Sequence, residues 1–124
     1  MKIDCQRKTL VYACSGCSSL AQLANDVAVT LDREGTAQMS CIAGVGGKVE
    51  PIVNVTKSGK PILAIDGCPL MCVKNTLSTV GVSPNWHIEL TSLGFENVQH
   101  KNYSIRDANK VLKIIHHDVL GTTK

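Results

Sequence analysis

Residues 9–31 read TLVYACSGCSSLAQLANDVAVTL, and this stretch decides the fold. Thr9 to Ala13 is a short apolar run, the mark of a buried strand. CSGCSS then makes a turn. Ser19 can cap a helix there, with Gln22 three residues on completing a capping box. Leu20, Leu23, Ala24, Val27, Ala28 and Leu31 follow at helical spacing, so one face of that helix is apolar. Gly35 is the natural stop, because glycine takes the left-handed conformation beyond a helix end. Strand, turn and helix in this order form the first half of a β-α-β unit.

The same alternation continues along the chain. A second strand is expected over 37–42, ending in the segment AGVGG. That segment lacks the lysine and hydroxyl of a P-loop and the spacing of a dinucleotide site, and reads as a mobile loop. Pro51 can open a short helix of weak propensity, because Ile52, Val53 and Val55 are β-branched. Pro61 to Asp66, PILAID, is apolar without alternation through Ile62, Leu63, Ala64 and Ile65, as in a central strand covered on both faces. Pro69 suits the first position of a helix running to about Val80 and stopping at Gly81. A fourth strand is expected near Trp86 to Leu90. Ser104 caps a last helix, with Asp107 three residues in and a stripe of Ile105, Ala108, Leu112, Ile115 and Val119. The series predicts a single three-layer α/β domain over 1–124 with a parallel four-stranded sheet. Its expected order is 2-1-3-4, as in flavodoxin-like and Rossmann-like folds.

Composition agrees and narrows the function. The chain has 124 residues, 44% hydrophobic and 19% charged, which fits one globular domain. No apolar stretch approaches the ~20 residues of a membrane helix. The apolar run from Leu10 to Ala13 is too short for a secretion signal, so a cytoplasmic location is expected. The net charge of +3 is scattered and aromatics are only 3%, so neither a nucleic-acid nor a membrane partner is expected. Nothing in the sequence names a protein partner.

In a reducing compartment, six cysteines point to metal ligation or thiol chemistry more than to structural disulfides. Cys14 and Cys17 follow the first strand. Cys41 lies near the end of the second, and Cys68 and Cys72 follow the third. A parallel sheet turns all its carboxyl ends to one edge, and in the order 2-1-3 these five thiols meet at the topological switch point. Cys5 precedes the first strand and is expected at the opposite edge. Cys14 and Cys17 form a C-x-x-C turn in which two thiolates can face one ion, and zinc takes four such ligands in a tetrahedron. Cys68 and Cys72 lie one helical turn apart at a helix start, where the positive helix end favours thiolate. Each cysteine also reads as a small buried apolar residue, a reading that suits Cys41 best.

Three further segments, CSGCS at 14–18, MSCIAGVGG at 39–47 and IDGCPLMC at 65–72, together resemble the DGC domain. The family takes its name from the motif present here as Asp66-Gly67-Cys68. The resemblance covers roughly Leu10 to Val82 and is less distinct from Trp86 onward. It implies zinc chelation by four of Cys14, Cys17, Cys41, Cys68 and Cys72, and it implies no enzyme activity.

Other residues carry weaker signals. Asp66 reads either as a hydrogen-bond acceptor beside the thiols or as a cap for the third helix. His116 and His117 suit a helix C-terminus, and adjacent residues there point about 100° apart, a poor joint ligand pair. His87 is the one histidine kept as a remote ligand. Lys57, Lys60 and Lys74 read as solvated surface. The leading expectation is therefore a metal-binding module, with Zn2+ as cofactor, that stores, senses or hands on the ion. The alternatives are a thiol-redox or sulfur-handling enzyme using the C-x-x-C and the helix-terminal cysteine, and an iron–sulfur protein. No nucleophile stands with histidine and acid partners, whereas buffering or delivery of a metal needs only affinity and access.

Overall fold

The computed structural model describes residues 9–122. Four strands, β1 (Leu10–Ala13), β2 (Gln38–Met39), β3 (Ile62–Asp66) and β4 (Trp86–Glu89), form one sheet. All pairings are parallel and the order is β2-β1-β3-β4, as the sequence predicts. β1 and β3 are wholly buried, because neither is an edge and both faces of each are covered.

Side chains alternate between the two faces and feed two cores. Val11, Ala13, Leu63 and Ile65 pack against α1 (Ser19–Arg33) and α5 (Ile105–Ile114). Leu10, Tyr12, Ile62 and Ala64 face α2 (Ile42–Gly46), α3 (Glu50–Thr56) and α4 (Cys72–Ser78). The result is the three-layer α/β arrangement expected. The tyrosine hydroxyl in the second core is satisfied by Thr56 Oγ1 at 2.5 Å, so burying Tyr12 leaves no orphaned polar atom.

Several boundaries differ from the sequence reading. The first helix starts one residue earlier: Ser18 is the cap, its Oγ accepting from Ala21 N, and Ser19 is already helical. β2 has two residues instead of six, because Cys41 ends it by capping α2. The glycine-rich segment is thus helical. Gly44 permits this, since a Cβ there would lie 2.9 Å from the Ile52 side chain of α3. In the C-terminal helix the buried line runs through Val111 and Ile115. Ile105 lies roughly 120° out of phase with Val111 at 100° per residue, and it stays 78% exposed. Past Ile114 the helix widens into a π turn over Ile115–Val119.

Candidate metal centre

Two loops leave the carboxyl ends of adjacent central strands, and each carries two cysteines. At the end of β1 the ladder extends one residue, with Cys14 N donating to Ile65 O at 3.1 Å. Cys14 is therefore fixed between β1 and β3. Its Sγ accepts from Gly67 N at 3.2 Å. Gln22 Nε2 donates to Gly16 O at 2.5 Å and holds the C-x-x-C turn against the first turn of α1.

The second loop approaches α1 so closely that only glycine fits. A Cβ on Gly67 would lie 2.9 Å from both the carbonyl carbon and oxygen of Leu20. The missing side chain thus sets Cys68 beside the start of α1. Beyond Cys68 the chain turns once more before α4 begins, with Met71 N donating to Cys68 O at 3.2 Å. Met71 is left-handed (φ 52°, ψ 48°), which a non-glycine residue adopts only at a cost of about 1–2 kcal/mol. Pro69 is therefore part of this turn and not the first residue of the helix, and Cys72 is the residue that opens α4.

Met71 offers α4 no side-chain cap. Asp66 does so from the end of β3. Its carboxylate is 1% exposed and accepts from Val73 N at 2.8 Å and Lys74 N at 3.3 Å. His87 Nε2 lies 2.8 Å from the second carboxylate oxygen. Asp66 is thus the helix cap, one of its two sequence readings, and the same carboxylate engages His87.

Cys14, Cys17, Cys68 and Cys72 line one cavity of about 240 Å³, together with Asp66 and Gln99. Cys14 and Cys68 are half-buried, whereas Cys17 and Cys72 are exposed. Cys41 is not brought to this cavity. As the cap of α2 its Sγ accepts from Gly44 N at 3.4 Å, and it lies beside Asp32, Arg33 and Met39 in a separate depression. The early end of β2 is the reason. Cys5 lies outside the described residues. A larger cavity of about 670 Å³ sits between Phe95 and α5 and contains no thiol.

The cavity gathers negative character. The Cys14 thiol is pushed up to about 11, first by burial and then by the neighbouring Asp66, Cys68 and Cys72, against the lowering effect of the Gly67 N–H bond. Four soft sulfur donors around one small space match the donor set of a zinc site in kind and number. Among the described residues, no three His, Cys, Asp or Glu side chains already stand at ligand positions around a point.

Sequence reading misses Gln99 and the segment before it. Ser19 N donates to Val98 O at 2.9 Å, Val98 N donates to Ser19 Oγ at 2.8 Å, and Leu20 N donates to Asn97 Oδ1 at 3.2 Å. The 97–99 segment thereby completes the first turn of α1 and lays Gln99 on the cavity. Nothing in the local sequence announces a partnership across 77 or more residues. His116 lies in the last helical turn, as the sequence suggests, but it is buried there. It is 2% exposed and bonded to Glu34 at 2.5 Å and Thr122 at 2.6 Å.

The family model of the DGC domain matches residues 10–115. The chain belongs to the DGC domain family. Its match extends through the C-terminal helix, well past the region where the sequence motifs are distinct. The DGC chain is also 52% identical over 102 residues to the anaerobic and virulence modulator AnvM of Pseudomonas aeruginosa, covering 82% of this chain and 78% of that protein. No solved structure matches this DGC domain. Among the described residues no helix is long and apolar enough to cross a membrane.

Proposed function

We propose that this DGC domain binds a soft metal ion, zinc, through Cys14, Cys17, Cys68 and Cys72. The observation that carries this reading is the convergence of four thiols from two loops on one cavity at the topological switch point. Cys14 holds the floor, Cys68 a wall, and the exposed Cys17 and Cys72 close from the solvent side. A bound zinc would tie the two loops together and stabilise thiolates, without redox chemistry of its own. It would also offset the negative character that Asp66 and the thiols share. Cys41 stands apart and is not needed to complete a set of four.

Among uses of such a site, storage, sensing or transfer of the ion is favoured, because two of the four ligands are solvent-facing. The relative AnvM is named an anaerobic and virulence modulator, and a modulator suits a sensing role. A thiol-redox reading is the second possibility, supported by the exposed Cys17 and Cys72 beside the buried Cys14.

Elemental analysis with native mass spectrometry, on protein purified without chelator, tests the proposal. One zinc per chain is expected, lost in Cys14→Ser and in Cys68→Ser and retained in Cys41→Ser. Iron with sulfide would replace zinc by a cluster. A folded, metal-free protein with reactive thiols would make thiol redox chemistry the function.

A further inference from the structure

The segment before α5 is fastened to the first turn of α1. Ser19 exchanges two hydrogen bonds with Val98, Leu20 N donates to Asn97 Oδ1, and Ser19 Oγ donates to Glu96 O at 3.5 Å. What this clasp delivers to the thiol cavity is Gln99. The Gln99 carboxamide is committed to no other group among the described residues. Val98 is paired with Ser19, and Cys17 lies two residues before Ser19, so Gln99 arrives on the Cys17 side of the cavity.

The cavity lacks what a carboxamide can give. Four thiolates outweigh the charge of a divalent ion, and the Asp66 carboxylate beside them adds to the excess. Among the described residues no cationic side chain lines the cavity. The Val73 and Lys74 amides at the start of α4 are taken by Asp66. Gly67 N serves Cys14, whereas the Cys17 sulfur has no such bond among the described residues. The hydroxyls of Ser15 and Ser18 also line the cavity, but they belong to the C-x-x-C loop itself. A glutamine amide carries two N–H donors on a long side chain. Hydrogen bonds to a ligating sulfur hold down its charge and tune the ion.

We propose that Gln99 is a positioning residue of the metal centre, its side-chain N–H donating to the metal-bound Cys17 thiolate. The inference rests on the zinc reading above. The ion keeps its four sulfur ligands and Gln99 adds none. The clasp on Ser19 then has a purpose, which is to carry a neutral donor across the fold to a site rich in negative charge. Such a donor offsets charge on sulfur without competing for the ion as a carboxylate would.

The test uses the full chain loaded with zinc and, separately, with cobalt(II), whose sulfur-to-metal absorption reports the state of the ligating sulfurs. Gln99→Leu keeps a side chain of similar bulk and removes the donors, and Gln99→Lys puts N–H groups back at similar reach. Gln99→Leu is expected to bind zinc about tenfold more weakly in competition with a chromophoric chelator. Its cobalt band is expected at longer wavelength, because a thiolate without the hydrogen bond holds its electrons less tightly. Gln99→Lys is expected to restore both. Urea denaturation of the metal-free Leu variant should match the parent, since Gln99 is exposed. Unchanged affinity and band in Gln99→Leu overturn the proposal and leave the metal site standing. Weaker binding with the band unmoved, or weaker binding that Gln99→Lys does not recover, means packing alone and overturns it as well. A parent protein that binds neither metal overturns the metal reading and the role of Gln99 with it.

Discussion

The helices α1 and α4 both follow a cysteine-bearing loop at the carboxyl edge of the sheet, yet their first turns are held in different ways. α1 runs for 15 residues and is capped by its neighbour Ser18, with the 97–98 segment satisfying its first two amides. α4 has seven residues, follows a left-handed Met71, and takes its cap from Asp66, seven residues before Val73. A hydroxyl cap is a local, replaceable device. A buried carboxylate that also engages a histidine ties the helix start to two strands at once, so the thiol at Cys72 inherits its position from the sheet.

Four substitutions or conditions sharpen that contrast, from the largest expected effect to the smallest. Asp66→Ala leaves the Val73 and Lys74 amides and His87 without their shared acceptor, and should lower stability by about 3 kcal/mol in urea denaturation. A loss no greater than that of a surface acid would break the comparison. Gly67→Ala forces a Cβ onto the Leu20 carbonyl and should cost about 1–3 kcal/mol. It should also weaken metal uptake, measured by competition with a chromophoric chelator, because Cys68 moves away from α1. Ser18→Ala removes one local cap and should cost about 1 kcal/mol by the same denaturation assay, with metal uptake little changed.

The last effect is one of pH. The Cys14 thiol rises from an ordinary value of 9.0 to about 11 in the fold. The folded protein therefore holds this proton more tightly than the unfolded chain does. The stabilisation is complete below pH 9.0 and is lost progressively up to about pH 11. Metal-free protein should lose thermal stability across that window, and Cys14→Ala should flatten the decline. An unchanged slope in that variant would mean Cys14 is not the group responsible.

The same contrast explains what the sequence reveals. The apolar stripe from Leu20 to Leu31, the Gly35 stop and the unbroken run Ile62–Ile65 follow from periodicity and composition, and they determine the layers and strand order. The gathering of Cys14, Cys17, Cys68 and Cys72 follows from that topology alone. Cys41 escapes the rule because its position depends on where a two-residue strand ends, and a capping cysteine is not distinguishable from a strand cysteine by spacing. The Pro69 segment misleads because proline suits both a helix start and a turn. Gln99 and the Ser19–Val98 pair depend on contacts distant in sequence, to which no local pattern is sensitive.

That distant clasp has a consequence for how the chain is made. Residues emerge from the ribosome in order, so Cys14 and Cys17 are exposed long before Cys68 and Cys72 exist. The first turn of α1 waits longer still, for Asn97 and Val98 to arrive. A half-made chain therefore carries a pair of loosely held thiols and no centre. The cavity becomes whole only once Gln99, well beyond Cys72, has been translated, so its lining is assembled late and from both ends of the fold at once.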